Sequence, residues 1–551
     1  MALFLEGALT IFLFYFLIMG VGVWAAKKKM VDNSEVETMN AGRRLGFFVG
    51  MMTLVGTWAG GGYFVGTAEQ SYTKGVVNTQ VPLGLAVSLV IGALVFIKPM
   101  RAGNYITMID IFQEKYGVWY GATMVIPAIL GEFFWIASVL NSLGTTLQVV
   151  IDLPRWACIV ISAFFAGLYT ILGGLTSVTY TDILQIFFII AGIGLATPYI
   201  YFHEHPRVAV EENYWVGEIK TKDIGYFIDH YVFLIFGGIP WQGYFQRVFS
   251  VKSTRVAQMM SIFSAPCLVI IAIPCLIVGA VAKQVDWTKV PSWNKEIRPE
   301  DAPLVLALAL RHLTPMWVSL LGLGAVAAAV MSSADSAILA SSALFTRNVY
   351  KHLFRPKATF EELHNCLRIC ICFITVCAGA LACNINGVYD LSLMCADVIF
   401  VVLFPQLTLL IYVPQIANKY GSSVSYFVAL FLRILTGDPT LGVEAVIKWP
   451  LYDEETKVQY FPFRCTIMLI STALMAFFGY LAYFFIEKTG KIPMKYDFLK
   501  GFSGKKTILQ LAAPSAPLED QIIPEEKLEK PEKTEKPEKP DIKPDVPPTT
   551  T

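Results

Sequence analysis

Long uninterrupted apolar stretches dominate this chain and restrict what it can fold into. A helix of about 18 or more apolar residues is long enough to cross a lipid bilayer. We therefore predict an all-α membrane protein with thirteen transmembrane helices. Their approximate bounds are 7–25, 45–66, 82–97, 121–150, 156–172, 182–202, 226–245, 257–282, 316–345, 367–383, 391–413, 422–435 and 465–486. Composition agrees, because only 15% of the 551 residues are charged, whereas a soluble domain carries roughly a quarter.

The charges beside the first predicted helix indicate its orientation. Glu6 precedes this helix, whereas Lys27, Lys28 and Lys29 follow it, which is the opposite of a secretory signal peptide. Positive side chains stay in the cytoplasm, so we expect the N-terminus outside and, after thirteen helices, the C-terminus in the cytoplasm. The positive residues of the predicted cytoplasmic loops are Arg43, Arg44, Arg101, Lys115, Arg247, Lys252, Arg255, Arg347, Lys351, Arg355 and Lys357.

Several classes of function find no support in the residue types. The formal net charge of +1 gives the chain no general attraction to nucleic acid. The ten cysteines show no paired metal spacing, and the six histidines include no HExxH pair. With no catalytic constellation in view, we predict that the protein is not an enzyme, carries no organic cofactor and has the lipid bilayer as its surroundings.

Two of the predicted helices are interrupted by sequence rich in glycine. The second contains 56–63 (GTWAGGGY) and the seventh contains 237–244 (GGIPWQGY). Lipid offers no hydrogen-bond partner, so such breaks indicate places inside the protein where freed backbone groups line a site. Alternatively, the glycines only allow neighbouring helices to pack closely.

The spacing of the breaks predicts how the chain is organised. Helices five apart cross the membrane in opposite directions, as in two inverted five-helix repeats whose broken first helices meet at the midplane. We predict a leading helix at 1–30, repeats at 31–202 and 203–415, and two trailing helices at 416–498. The segment 499–551, rich in Lys, Glu and Pro, is predicted to be a disordered cytoplasmic tail, or simply a solvated one without a specific role.

The ninth predicted helix is largely apolar but contains one short polar stretch. Its sequence 329–336 (AVMSSADS) includes Asp335, an ionisable side chain at membrane depth, which is typical of a functional site. Serine hydroxyls and unwound backbone carbonyls are oxygen ligands suited to sodium. Asp182, at the predicted start of the sixth helix, is either a further ligand or an N-terminal cap.

Three tryptophans lie at membrane depth, away from the headgroup region. Trp58 and Trp241 belong to the two breaks, and Trp135 lies in the fourth predicted helix. Facing aromatic rings form a box for a quaternary ammonium ion, which offers no N–H donors. Packing in the core is the alternative role, particularly for Trp135.

Six short stretches resemble the sodium/solute symporter family, one of them (173–177) the signature of the wider family and the others its high-affinity choline transporter branch. The stretches are 57–63 (TWAGGGY), 66–69 (GTAE), 98–101 (KPMR), 173–177 (GGLTS), 237–248 (GGIPWQGYFQRV) and 322–336 (GLGAVAAAVMSSADS). The resemblance covers about residues 1–498. It implies the LeuT-like inverted-repeat fold and inward choline transport that is driven by sodium and depends on chloride. It also implies a plasma-membrane location, in presynaptic terminals and vesicle membranes, where choline supplies acetylcholine synthesis.

The resemblance also implies roles for individual residues. The choline contacts implied are Trp58, Trp135 and Trp241. One sodium site is implied at the carbonyls of Gly56, Ala59 and Ala329 and the hydroxyls of Ser332 and Ser333. A second is implied at Thr57, Asp182, Asp335 and Ser336. No residue is assigned to chloride.

Two positions depart from that branch. Leu85 stands where the branch has a tyrosine in the choline cage, so one wall loses its π face, which predicts weaker choline binding or another trimethylammonium substrate. Ile508 and Leu509 resemble an endocytic-adaptor signal without its usual acidic residue. A sodium symporter for another small solute and a sodium-conducting ligand sensor stay open as alternatives.

Overall fold

The described part of the chain is built from α-helices. The computed structural model describes residues 4–26, 35–202, 206, 214–290 and 293–502. Strand-like pairing within these ranges is limited to three isolated bridges. The long helices are α1 (Leu5–Ala26), α2 (Phe47–Trp58), α3 (Gly61–Lys74), α4 (Val81–Ile91), α5 (Val125–Ile151), α6 (Arg155–Gly173), α7 (Leu175–Phe202), α8 (Ile224–Gly237), α9 (Gln242–Ser250), α10 (Thr254–Gln284), α11 (Met316–Leu344), α12 (Phe360–Asn384), α13 (Val388–Tyr412), α14 (Lys419–Leu435) and α15 (Phe463–Ala482). Shorter α-helices cover Glu35–Asn40, Ile97–Ala102, Asp110–Tyr116, Val118–Thr123 and Val305–His312.

The helices confirm an all-α membrane fold. Among the described residues, nine helices are long and apolar enough to cross a membrane, and ten if α2 and α3, which meet at a bend of 51°, form one span. The remaining three predicted spans coincide with α6, with the pair α8 and α9, and with α14, which are shorter or more polar. The count of thirteen and the orientation therefore stay predictions. Lys27, Lys28 and Lys29, the predicted adaptor signal and all but the first four residues of the predicted tail lie outside the described residues.

One helix boundary corrects the sequence analysis. The sixth span was predicted to begin at Asp182, but α7 begins at Leu175, seven residues earlier. The Asp182 side chain is completely buried. It is therefore inside the helix, and its interpretation as an N-terminal cap is wrong.

Both predicted breaks are present, and their local sequence explains them. α2 ends at Trp58, after which Ala59 and Gly60 leave helical geometry before α3 begins. α8 ends at Gly237, and the turn that follows contains Pro240, whose ring removes a backbone donor. Trp241 is extended at the start of α9. Trp241 thus lies in its break, whereas Trp58 is the last helical residue before the other.

Glycine at the breaks also permits close contact between helices. A Cβ atom on Gly60 would lie 2.0 Å from Ser333 Oγ on α11. A Cβ atom on Gly237 would lie 2.3 Å from the Ala396 carbonyl oxygen on α13. The close packing of neighbouring helices, which was the alternative role of these glycines, is therefore present at both positions.

α11 lies at the centre of the bundle. Every residue from Gly322 to Leu344 is buried, and α11 packs against α5 and α7. The outer helices instead expose large apolar side chains, such as Leu13 on α1 and Phe373 on α12. An apolar exterior around a centre that contains polar side chains is the arrangement expected in lipid. The central position of α11 places its serines against the first break.

Candidate functional site

The four residues predicted to bind substrate line one cavity between the two breaks. Trp58, Trp135, Trp241 and Leu85 all border it, and the cavity measures about 30 Å³. Its other walls are Val81, Leu234, Gly237, Gly238, Ser392, Cys395 and Ala396. We call the four predicted residues the cage. The structure thus brings together side chains that are up to 183 positions apart in sequence.

The tryptophan rings of the cage face the protein interior and contact one another. The ring centroids of Trp58 and Trp241 are 5.1 Å apart at an interplanar angle of 81°. Those of Trp135 and Trp241 are 5.6 Å apart at 69°, and Tyr244 approaches Trp58 at 6.0 Å. All three tryptophans are between 2% and 4% exposed. Because the rings touch, a headgroup larger than water must move them apart to bind between them.

The remaining walls of the cage are apolar except near α13. Leu85, Val81 and Leu234 present only aliphatic groups. Ser392 provides a hydroxyl, which lies 2.7 Å from the Ser138 hydroxyl, and Cys395 provides a thiol. The site can therefore hold a cation without hydrogen-bond donors against its aromatic faces, and it can bind a single polar group of the ligand at the α13 end.

The first predicted sodium set joins α2 to α11 beside the break. The Ser333 hydroxyl donates hydrogen bonds to the carbonyls of Gly56 at 3.0 Å and Thr57 at 3.3 Å. The Ser332 hydroxyl donates to Asp182 Oδ1 at 2.5 Å, so the carboxylate of the second set also contacts the first. Ala59 and Ala329 are buried on the same two segments. Backbone carbonyls freed beside a helix break, together with hydroxyl oxygens of a neighbouring helix, are oxygen ligands of the kind that coordinate sodium.

The second predicted sodium set is less compact. Asp182 accepts a hydrogen bond from Thr53, and the Thr57 hydroxyl turns back to the Thr53 carbonyl at 2.7 Å. Asp335 Oδ1 accepts from the Thr170 hydroxyl at 3.0 Å, while its Oδ2 atom has no hydrogen-bond partner. Ser336, the fourth member, accepts its hydrogen bond from an arginine outside the set.

That arginine is Arg247, and its position corrects the sequence analysis. It was placed in a cytoplasmic loop because it follows the predicted seventh helix, but it lies on α9 with a side chain that is 0% exposed. Nothing in the hydropathy pattern indicates this burial. The sequence signal that could have indicated it is the position of this ionisable residue only six residues after Trp241 in the break.

Glu132 is a second ionisable residue that the sequence analysis missed. It lies on α5, one turn before Trp135, and is completely buried. Its ionised carboxylate is stabilised electrostatically by three nearby groups, which are the indole N–H of Trp241, the N–H of Gly243 and the charge of Arg247. None of them forms a hydrogen bond of standard geometry with either carboxylate oxygen. The cage therefore has a carboxylate at its border.

Ion pairs connect separate segments of the chain at the end of the bundle predicted to be cytoplasmic. Glu35 contacts Arg347 and Lys351, and Arg347 Nε lies 3.1 Å from Asp110 Oδ2. Burial opposes ionisation of Asp110, yet the Arg347 guanidinium and the N–H of Ile106 hold its pKa below the ordinary value. We call these four charged residues the inner ion-pair cluster.

The broken helices are also joined to each other at this end. Residues Leu45, just before α2, and Val251, just after α9, form a parallel bridge. The Leu45 N–H donates to the Ser250 carbonyl at 3.1 Å. The Arg101 guanidinium donates to the carbonyls of Val248 and Val251. The inner halves of the two interrupted helices are thus held together by backbone hydrogen bonds.

Comparison with known proteins gives concordant similarities. The Sodium:solute symporter family profile matches residues 39–428. The chain is 42% identical over 499 residues to the high-affinity choline transporter 1 of Drosophila melanogaster, covering 90% of this chain and 81% of that protein. It is 39% identical over 516 residues to the high affinity choline transporter 1 of Homo sapiens, covering 90% and 88%.

The fold is similar to that of a solved sodium-coupled transporter. The outward-open structure of a Na⁺-coupled sialic acid symporter superposes with a TM-score of 0.69 at 16% identity. The superposition covers 87% of this chain and 97% of that one. At this identity the likeness concerns the path of the helices and not the ligand.

Proposed function

The chain belongs to the sodium:solute symporter family, and on that premise we propose that it carries choline inward across a membrane together with sodium. Membership makes it a transporter rather than an enzyme, as the sequence predicted. The observation that carries the choice of substrate is the convergence of Trp58, Trp135 and Trp241 on one cavity beside the serine-rich centre of α11.

The cage suits a trimethylammonium group for physical reasons. A permanently charged headgroup without N–H donors gains nothing from hydrogen-bond acceptors, but it is attracted to the faces of indole rings. Each desolvated ring contributes about 2 kcal/mol. A sugar, which is the substrate named for more distant relatives such as the sodium/glucose cotransporter of Vibrio parahaemolyticus, needs several polar partners, and the walls here are mostly aromatic and aliphatic.

The hydroxyl end of choline fits the α13 side of the cavity. Ser392 is the hydroxyl-bearing residue among those that line the cavity, and it lies on the same helix as Cys395. We place the trimethylammonium group among the indole rings and the alcohol toward Ser392. The aliphatic Leu85 wall leaves the headgroup with three aromatic faces instead of four.

Sodium is the second transported ion in this proposal. Gly56, Ala59, Ala329, Ser332 and Ser333 would hold one ion, because their oxygens lie on the two segments that the serine hydrogen bonds already join. A cation there stabilises the contact between the first break and α11, and so shapes the cage next to it. Thr57, Asp182, Asp335 and Ser336 would hold a second.

The proposed cycle is alternating access. Sodium and choline bind from outside, the outer side closes, and the inner ion-pair cluster then opens to release both inside. Each sodium ion that moves inward contributes about 2.3 kcal/mol per 100 mV of membrane potential. We include chloride dependence, a plasma-membrane location, the two inverted repeats and adaptor binding at Ile508 and Leu509 as further parts of the proposal.

Uptake of labelled choline by cells that express the chain tests the proposal. Sodium outside is replaced by an inert cation, and in a separate arm chloride is replaced by gluconate. We expect accumulation only with sodium, and less without chloride. Equal accumulation with and without sodium contradicts the coupling.

Two further measurements separate the alternatives. Competition by betaine, carnitine and glucose identifies another substrate if one of them inhibits uptake better than choline does. Current that choline evokes without accumulation of label favours a sodium-conducting sensor.

A further inference from the structure

A buried positive charge lies inside the region predicted to take the second sodium ion. Arg247 is on α9, six residues after Trp241 in the cage. Its side chain is 0% exposed, and a guanidinium at membrane depth is stable only where other groups compensate its charge. Its partners therefore identify its role.

Arg247 contacts oxygen atoms on its own helix and on three others. Its Nε–H donates to Thr53 Oγ1 at 3.2 Å, and one terminal nitrogen donates to Gln246 Oε1 at 3.0 Å. The other terminal nitrogen donates to Ser336 Oγ at 2.6 Å and lies 3.8 Å from Asp182 Oδ2. The charge of Glu132 also acts on it. Two of these five partners, Asp182 and Ser336, belong to the second predicted sodium set.

The contact with Asp182 is an ion pair without a direct hydrogen bond. Asp182 instead accepts hydrogen bonds from the neutral hydroxyls of Thr53 and Ser332. Its negative charge is thus balanced by a guanidinium held mainly by other groups. Such a charge can be replaced by a small cation that binds the carboxylate directly, provided the guanidinium has somewhere else to go.

Glu132 provides that second position. Its carboxylate is buried, it has no hydrogen bond of standard geometry, and Arg247 already acts on it. It also borders Trp241, so a shift of Arg247 toward Glu132 takes place beside the cage.

We propose that Arg247 is a tethered counterion that competes with sodium for Asp182 and Ser336. Without sodium the guanidinium balances Asp182, and sodium that binds there displaces it toward Glu132. Because Trp241 directly precedes the short helix that carries Arg247, the displacement links the sodium ion to the choline cage. This inference rests on the proposed sodium coupling and adds a residue outside both predicted sodium sets.

The test is equilibrium binding of radioactive sodium to the purified full-length protein, without choline and at constant ionic strength. Arg247→Gln removes the competing charge, so we expect half-saturation at a sodium concentration lower by about tenfold or more, as befits a unit charge some 4 Å away. Arg247→Lys keeps the charge but loses the planar fork that reaches several oxygens at once. We expect its sodium concentration at half-saturation to lie between that of the wild type and that of Arg247→Gln.

A matched control is Arg464→Gln. Arg464 is another buried arginine, paired with Asp397 and Asp229, and neither partner belongs to the sodium sets. We expect its sodium isotherm to match that of the wild type even if its melting temperature falls. A shift equal to that of Arg247→Gln would mean that any buried arginine matters, which overturns the inference.

The outcomes separate this inference from the proposed function. If the wild type binds sodium but neither Arg247 variant lowers the sodium concentration at half-saturation, the proposed competition is wrong while sodium coupling stands. If Arg247→Gln does not fold, Arg247→Met takes its place, because it also removes the charge while keeping an apolar stem. An unchanged or raised sodium concentration at half-saturation then contradicts the competition. If the wild type binds no sodium, the proposed coupling itself fails.

Discussion

Replacement of Trp241 tests the cage, because its ring lies between the other two. Its centroid is 5.1 Å from that of Trp58 and 5.6 Å from that of Trp135. One desolvated cation–π contact is worth about 2 kcal/mol, which corresponds to roughly thirtyfold in affinity at about 1.4 kcal/mol per decade. We therefore expect Trp241→Ala to raise the choline KM about thirtyfold. Trp241→Phe keeps a ring, and we expect a rise below about fivefold.

The assay is the initial rate of labelled choline uptake at fixed sodium, normalised to the amount of protein at the cell surface. Trp287 supplies a matched control, because it is 4% exposed, donates its indole N–H to the Ala282 carbonyl at 2.9 Å and lies outside the cage. Trp287→Ala and Trp287→Phe should lower the amount of folded protein without changing KM. If Trp241→Ala and Trp241→Phe raise KM equally, the ring serves packing and the cation–π reasoning is refuted.

Three other substitutions test further parts of the site. Leu85→Tyr adds a fourth aromatic face to the cage, so the choline KM should fall about five- to thirtyfold in uptake assays; an unchanged KM would show that this wall does not meet the headgroup. Asp335→Asn keeps an acceptor for Thr170 but removes the charge beside the free Oδ2 atom, so uptake should need several times more sodium, and a titration equal to that of the wild type would remove Asp335 from the second set. Cys395 lines the cavity, so choline should slow inactivation by a cationic thiol reagent and Cys395→Ser should resist it; inactivation that choline does not slow would argue that substrate binds elsewhere.

The breaks and the cage were predictable because their sequences contradict an ordinary membrane helix. Glycines cluster around Trp58, and glycines together with Pro240 around Trp241, where an apolar run would otherwise continue. Backbone groups freed inside a membrane must be satisfied by protein, so such clusters indicate an interior site from the residue order alone. The departure at Leu85 was also visible, and the structure places that side chain in the cage wall.

The start of α7 was not predictable from hydropathy. Its first turns are rich in threonine and serine, which look like loop sequence. The hydroxyls of Thr179 and Thr181 donate to carbonyls one turn earlier, those of Leu175 and Val178, so these polar side chains are satisfied by the helix itself. The helix therefore extends beyond its apolar stretch, and Asp182 lies inside the protein.

The burial of Arg247 and Glu132 was equally hidden, for a different reason. Arg247 is compensated by groups far away in sequence, such as Thr53 and Ser336, and Glu132 is buried beside residues more than 100 positions away, such as Trp241. Local pattern places a charge at the nearest loop, whereas long-range pairing decides whether it is tolerated at depth. Single-sequence reasoning has no access to that pairing.

The hydrogen bonds between Leu45 and the residues at the end of α9 couple the two inner half-helices, α2 and α9, into one rigid unit. If the proposed cycle operates, neither half can swing away while the other stays, because the bridge at Val251 and the grip of Arg101 would both have to break. In that cycle α2 and α9 move together when the inner side opens, and conformations in which only one of them has moved are sparsely populated.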